Sequence, residues 1–195
     1  KLEGRAARSK CYMWLYRTSG DAKSPVVLYE YRPTRKAENA AAFLEGFSGW
    51  LHADGYAGYH RLPENIRVVG CWAHLRRKFD EAVNALPKEQ QVGCTALEGL
   101  QYCNILFAIE KELADLPPEE RYIQRLARSK PVMDALLTWA ETKSAAVPKS
   151  ALGKALYYLR EQWPYLIRFL GDGQLEIFNN RAERSVKPFV MSRKN

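Results

Sequence analysis

Hydrophobic positions gather first in two short stretches, Tyr12 to Arg17 (YMWLYR) and Val26 to Tyr31 (VVLYEY). Both are rich in aromatic and β-branched residues, and the turn-forming cluster TSGDAKSP lies between them, so the pair predicts a β-hairpin. From Ala37 to Phe47 the period changes. Ala40, Phe43, Leu44 and Phe47 fall on one helical face, and Gly46 and Gly49 punctuate the end. GWLHAD then predicts a short strand ending at Asp54. After DGYAGYHRLPEN, the run IRVVGCW predicts a buried strand that leads directly into AHLRRKFDEAVNAL, where Trp72, Leu75, Phe79, Val83 and Leu86 recur at helical spacing.

From about Thr95 to Leu170 the pattern is helical throughout, with breaks expected at Pro117-Pro118, at Pro131 and around Pro148. This stretch predicts a second, all-α unit. Pro164 falls inside a helical pattern and predicts a kink or a restart. The loop GDGQLEIF follows, and then NNRAERSVKP, where Asn179 is a natural N-cap for a short helix carrying Ala182, Glu183 and Val186.

With 195 residues and 47% hydrophobic content, the chain can bury a real core, as one domain with an insertion or as two small ones. No apolar run approaches the roughly 18 residues a bilayer-spanning helix needs, and KLEGRAARSK contains no apolar stretch of signal-peptide type. The expectation is a cytoplasmic protein with no membrane association. A start at Lys1 and an end at the basic tripeptide RKN predict a piece of a longer protein. The cysteines Cys11, Cys71, Cys94 and Cys103 form no CxxC pair and are expected to be free thiols; Cys71, His74, Cys94 and Cys103 are not spaced like a common zinc module.

The formal charge of +8 is unevenly placed. Residues 1–17 hold five basic and one acidic side chain, residues 181–195 hold five and one again, and the middle therefore sums to zero. Clustered Lys and Arg raise phosphate affinity through counterion release, so the basic ends suggest polyanion binding; solvated termini are the plainer alternative.

Two acids stand out beside those ends. Asp54, in HADGYAGY, is an acid at the end of a predicted strand and followed by glycine, a recurrent way to present a carboxylate where ligands bind in α/β folds. Its alternative is an ordinary Asp-Gly turn. Glu183 lies among Arg181, Arg184 and Lys187 on a short helix, and its alternative is a solvated, ion-paired face. Cleavage or transfer of a phosphodiester needs both the attacking and leaving oxygens stabilised, which two Mg²⁺ ions about 3.5 to 4 Å apart can do. Two carboxylates do not easily hold two ions, so a third is required.

DGYAGY, CWAHLRRKF, the long helical stretch and NNRAERSVKPFVMSRKN resemble, in that order, the blocks of insertion sequence 66 transposases, over nearly the whole chain. The resemblance implies an α/β, RNase H-like mixed sheet flanked by helices and interrupted by an all-α insertion. Residues 1–90 would form the first part of the core, 91–170 the insertion and 171–195 the final helix. It also implies DDE chemistry with Mg²⁺ or Mn²⁺, two ions in the complete enzyme, in which Asp54 is the second acid and Glu183 the third. The 129 residues separating them leave room for the insertion. The first acid, and the first strand with it, would lie upstream; Asp21 sits in the predicted hairpin turn and is no substitute.

The implied activity is cleavage of transposon DNA ends and joining of the 3′-hydroxyl to target DNA, by a homo-oligomer assembled on DNA. His74, Arg76, Arg77 and Lys78, on the helix after the buried strand, would hold phosphate or a water, although for His74 a cap or core role is equally open. Trp72 and Phe79 are expected in the core. Asn179 and Asn180 would cap the last helix and orient Glu183, while Arg181, Arg184, Lys187, Arg193 and Lys194 would grip the DNA backbone. A non-catalytic DNA-binding module and an RNase H-like nuclease without strand transfer are the alternatives, since fold alone does not separate them.

Overall fold

The computed structural model describes residues 10–20, 22–143 and 147–192, with side chains up to Val186 in the last helix. It is a mixed α/β structure, mostly helical, with two small sheets. The hairpin forms as expected. Strand β1 (Tyr12–Arg17) pairs antiparallel with β2 (Val27–Arg32), in a register that sets Trp14 opposite Glu30 and Arg17 opposite Val27. Alternation divides its side chains between two faces. On one face, Trp14 is buried against the edges of Tyr56 and Tyr59, and Tyr16 stacks on Phe43 with ring centroids 3.6 Å apart.

Helix α1 (Ala37–Phe43) is shorter than its apolar period predicts. Gly46, at φ +78°, turns the chain before the helix reaches Phe47, so Ala40 and Leu44 are buried while Phe47 stays exposed. Strand β3 (Gly49–His52) stops two residues before Asp54, and β4 (Ile66–Val69) ends before Gly70. The reason for the second stop lies in hydrogen bonding. The Gly70 amide donates to Tyr165 O at 3.0 Å and the Trp72 amide to Ile177 O at 3.1 Å, so the backbone beyond Val69 is committed elsewhere. The Gly49 amide bonds Asn65 O and the Ala53 amide bonds Val69 O, so both strands advance together and run parallel.

By contacts the chain divides into two compact units. The first comprises Lys1–Gly49, Tyr56–Arg67 and Asn179–Asn195, and the second Trp50–Gly55 and Val68–Phe178. In the second, α2 (Trp72–Asn84) packs on α4 (Thr95–Glu112) and on α7 (Ala151–Leu166). Trp72, Leu75, Phe79 and Val83 are buried, as their spacing predicts; Leu86 is half-buried. α4 approaches closely because residue 99 is glycine: a Cβ there would meet the Phe79 ring at 2.5 Å. A short α3 (Lys88–Gln91) joins α2 to α4.

The prolines act less uniformly than expected. Pro117-Pro118 and Pro148 do mark breaks, with α5 (Pro118–Gln124) starting at the first of them. Pro131 does not. The chain passes from α5 through a π-turn (Arg125–Ser129) directly into α6 (Lys130–Thr142), where Pro131 occupies the first turn and its missing N–H is not needed. Pro164 neither restarts nor ends α7, which continues to Leu166 and then tightens into a 3₁₀ turn over Ile167–Gly171. No described helix is long and apolar enough to cross a membrane. The four cysteines are free thiols, as expected.

Candidate active site

In the second unit, the ends of the parallel strands are held by helix α7. Where it tightens into the 3₁₀ segment, the carbonyls of its last turn accept donors from elsewhere in the chain. Tyr165 O takes the Gly70 amide, Leu166 O takes the Trp72 indole N–H at 3.0 Å, and Arg168 Nη1 returns a bond to Val68 O at 2.9 Å. Asp54 stands just past β3, half-buried, and follows Ala53, whose amide is still paired to β4. Gly55 then takes φ +80°, a left-handed conformation that a side chain would strain. The sequence reading of an acid and glycine at a strand end is therefore what the backbone shows, with the strand two residues shorter.

His74, half-buried, lies in the first turn of α2, its amide bonded to Cys71 O. Its basic neighbours already have partners. Arg76 Nε donates to Asn104 Oδ1 at 2.6 Å, Lys78 Nζ lies 5.1 Å from the centre of the Tyr158 ring, and Arg77 is 3.9 Å from Glu81 with both side chains more than half exposed. Of the three, Arg77 is the most loosely engaged. Burial pushes the Tyr158 phenol up, with Cys71 and Asp54 adding to the rise and Arg77 opposing it.

Strand β3 also carries His52, half-buried, with both ring nitrogens screened from solvent. Burial lowers its imidazole to about 4, against the opposing pull of Glu176. A histidine depressed in the fold is neutral there while the unfolded chain already binds a proton, so stability is intact above about pH 6.5 and is lost as pH falls toward 4. The loss should approach roughly 3 kcal/mol at the acid end. Urea denaturation at pH 7 and pH 4.5 is expected to show a gap that His52→Gln narrows; an equal gap in both proteins would place the acid sensitivity elsewhere.

In the first unit, α8 (Asn180–Ser192) opens where Asn179 was expected to cap it; the Asn179 carbonyl accepts the Glu183 amide at 3.3 Å. Glu183 is exposed in the first helical turn, where a negative charge suits the helix dipole. The hairpin anchors this turn. Arg17 Nη1 donates to Arg181 O and to Ser185 Oγ, and the Tyr29 hydroxyl donates to Ser185 O at 2.6 Å. The Arg181 guanidinium lies over Gly20, where a Cβ would come within 2.6 Å of it, while Arg184 is exposed. The side chain of Lys187, and Asp21, Arg193 and Lys194 altogether, lie outside the described residues.

Comparison with known families matches residues 1–195 to "Transposase IS66 family". The chain belongs to that family. Among curated relatives of this transposase-family chain, protein y4qI of Sinorhizobium fredii is 31% identical over 98% of the chain. Protein y4jD of the same organism is 33% identical over 98%, and y4hP 30% over 97%. All three are named as uncharacterized proteins. The chain spans 37%, 39% and 38% of their respective lengths, well under half of each. No solved structure matches.

Sequence reasoning missed two groups of residues. One is Tyr158 and Gln162 on α7; the other is Arg121 and Arg125, which clamp backbone carbonyls within the helical segment. Gln162 carried a readable signal, because it falls on the buried stripe of Leu156, Leu159 and Leu166. Nothing comparable marked Arg125.

Proposed function

We propose that this chain is the catalytic-core segment of a DDE transposase, which cuts transposon DNA ends and joins the freed 3′-hydroxyl to target DNA. The observation that carries the reading is a half-buried carboxylate, Asp54, at the C-terminal end of a parallel strand pair, in a chain that matches the transposase family from end to end. Such strand ends are where open α/β sheets bind ligands. An RNase H-like fold is our proposal for the architecture. Among the described residues the antiparallel hairpin and the parallel pair are two separate sheets and not the one mixed sheet expected; an RNase H-like core would use both kinds of pairing, and residues 91–170 would be its helical insertion.

Asp54 and Glu183 would each supply a metal ligand. Their chemistry fits Mg²⁺ or Mn²⁺: carboxylate oxygens are hard donors, and Asp54 is only half-buried while Glu183 is exposed, so hydrated ions and phosphate can reach both. Bound ions would stabilise charge on the attacking and leaving oxygens of an in-line displacement. The third carboxylate that two ions require would come from outside this chain. Asn179 and Asn180 would set the start of α8 and so the direction of Glu183. Arg77 and Arg184, both exposed, would meet DNA phosphates. His74, Arg76, Lys78 and Arg181 would contribute after giving up or sharing their present contacts. Assembly as a homo-oligomer on DNA completes the proposal.

The test is Mg²⁺- or Mn²⁺-dependent cleavage and strand transfer by the full-length protein beside Asp54→Ala and Glu183→Ala. Loss of both steps in each variant, with folding intact, supports DDE chemistry. Unchanged activity in either removes that residue from the site, and cleavage without joining in the parent protein makes it a nuclease.

A further inference from the structure

Helix α7 brings two polar side chains to the turn that follows Asp54. A Cβ built on Gly55 would sit 2.6 Å from the Tyr158 hydroxyl and 3.1 Å from the Gln162 amide oxygen, so the turn runs directly beneath both. Gln162 is only 6% exposed and lies on the stripe that α7 otherwise fills with leucine. A buried amide there is costly unless it meets a polar partner, and the polar backbone of the turn is what lies next to it. Tyr158 lies one turn earlier on α7, and its hydroxyl faces the same Gly55 turn, next in the chain to Asp54. The helix itself cannot drift, because Tyr165 O and Leu166 O bind the Gly70 amide and the Trp72 indole.

We propose that Tyr158 and Gln162 are positioning residues for the Asp54 carboxylate, so that the helical segment is a working part of the metal site and not an appendage to it. This rests on the reading of Asp54 as a metal ligand. An Asp-Gly turn on its own has wide conformational freedom, since glycine tolerates most backbone angles. A hydroxyl and an amide pressed onto Gly55 remove that freedom and aim the preceding carboxylate. Outer partners of ligating groups typically change metal affinity or activity about 10- to 100-fold when removed.

The experiment uses the full-length protein and its Tyr158→Phe, Gln162→Leu and Asp54→Ala variants. Mn²⁺ binding is measured by calorimetry, and the Mg²⁺ concentration for half-maximal DNA cleavage is measured alongside. Tyr158→Phe keeps the ring beneath Lys78 and drops only the hydroxyl. It is expected to melt with the parent protein, to bind Mn²⁺ about 10- to 100-fold more weakly and to regain its cleavage rate at saturating Mg²⁺. Should Tyr158→Phe fold poorly, Gln162→Leu reads the same quantity. Parent-like Mn²⁺ affinity in both, with binding lost in Asp54→Ala, overturns this inference alone. Parent-like affinity in Asp54→Ala overturns the metal-ligand reading and this inference with it.

Discussion

Asp54→Asn is expected to slow metal-dependent cleavage by the full-length protein about a thousandfold under the metal-ligand role proposed for Asp54, because the several kcal/mol a metal would contribute to charge stabilisation would be lost with its ligand. The same change should leave the melting temperature nearly unmoved. Asp54 is half-buried beyond the last residue of β3, and the turn is held by other groups: the Ala53 amide on Val69 O, and Tyr158 and Gln162 over Gly55. Asparagine keeps the side-chain volume and its turn preference, so only the charge is tested. Cleavage rates at saturating Mg²⁺, paired with thermal melts, decide the matter. A slow variant that melts far below the parent would assign Asp54 a structural role, and a fast one would dismiss it from the chemistry.

The Glu183→Gln counterpart should behave alike for a different structural reason. Glu183 is exposed on α8, and the first turns of that helix are tied down through backbone and hydroxyl groups at Arg181 and Ser185, by Arg17 and Tyr29. None of those bonds uses the Glu183 carboxylate. Neutralising it weakens the favourable interaction with the helix dipole but leaves those bonds in place, and a larger fall in activity than in stability is the expected signature.

What could be read from the sequence depended on how local the cause was. The β1–β2 hairpin was visible because turn formers separate two aromatic runs, and α2 because Trp72, Leu75, Phe79 and Val83 repeat at helical spacing; in both, neighbours in the chain set the structure. Element ends were less legible. IRVVGCW reads as one strand through Trp72, yet the strand stops at Val69 because Gly70 and Trp72 give their amides to carbonyls about a hundred residues away. Pro131 looks like a break from its own chemistry, and only the π-turn before it lets the helix run on.

The same distinction separates the candidate site residues. Asp54 was readable because strand, acid and glycine are contiguous. Tyr158 and Gln162 were not, since they reach the turn after Asp54 only through tertiary packing across about a hundred residues of chain. A buried amide on the leucine stripe of α7 was the one local hint. It said that something polar was needed there, without saying where it would point.

Arg125 is the extreme case, and Arg125→Met is expected to destabilise the protein by about 3 to 5 kcal/mol. From the sequence it is one cation among 30; in the structure its side chain is 1% exposed. Nε and Nη2 grip the Glu110 carboxylate at 2.9 and 2.6 Å, Nη1 donates to Phe169 O and Asp172 O, and Nη2 also donates to Leu175 O at 2.7 Å. Every N–H of the guanidinium thus has an acceptor, which is why a full charge survives in the interior. Those carbonyls line the turn that returns the chain toward Ile177, whose own carbonyl holds the Trp72 amide at the start of α2. Methionine would strip Glu110 of its guanidinium and remove the Arg125 donor from three carbonyls, of which Asp172 O keeps the Leu175 amide, while filling much of the space. Lysine should not rescue it, because a point charge with three donors cannot reproduce the planar fork. The double change Arg125→Met, Glu110→Met removes both charges and should recover a large part of the loss, since a buried ion pair contributes little net stability over apolar side chains of similar size. Urea denaturation of the parent, of Arg125→Met and Glu110→Met singly, and of the double variant measures the cycle. A single-variant loss below about 1 kcal/mol would mean that water reaches the abandoned groups, and that the 169–175 turn is held by its packing and not by this arginine.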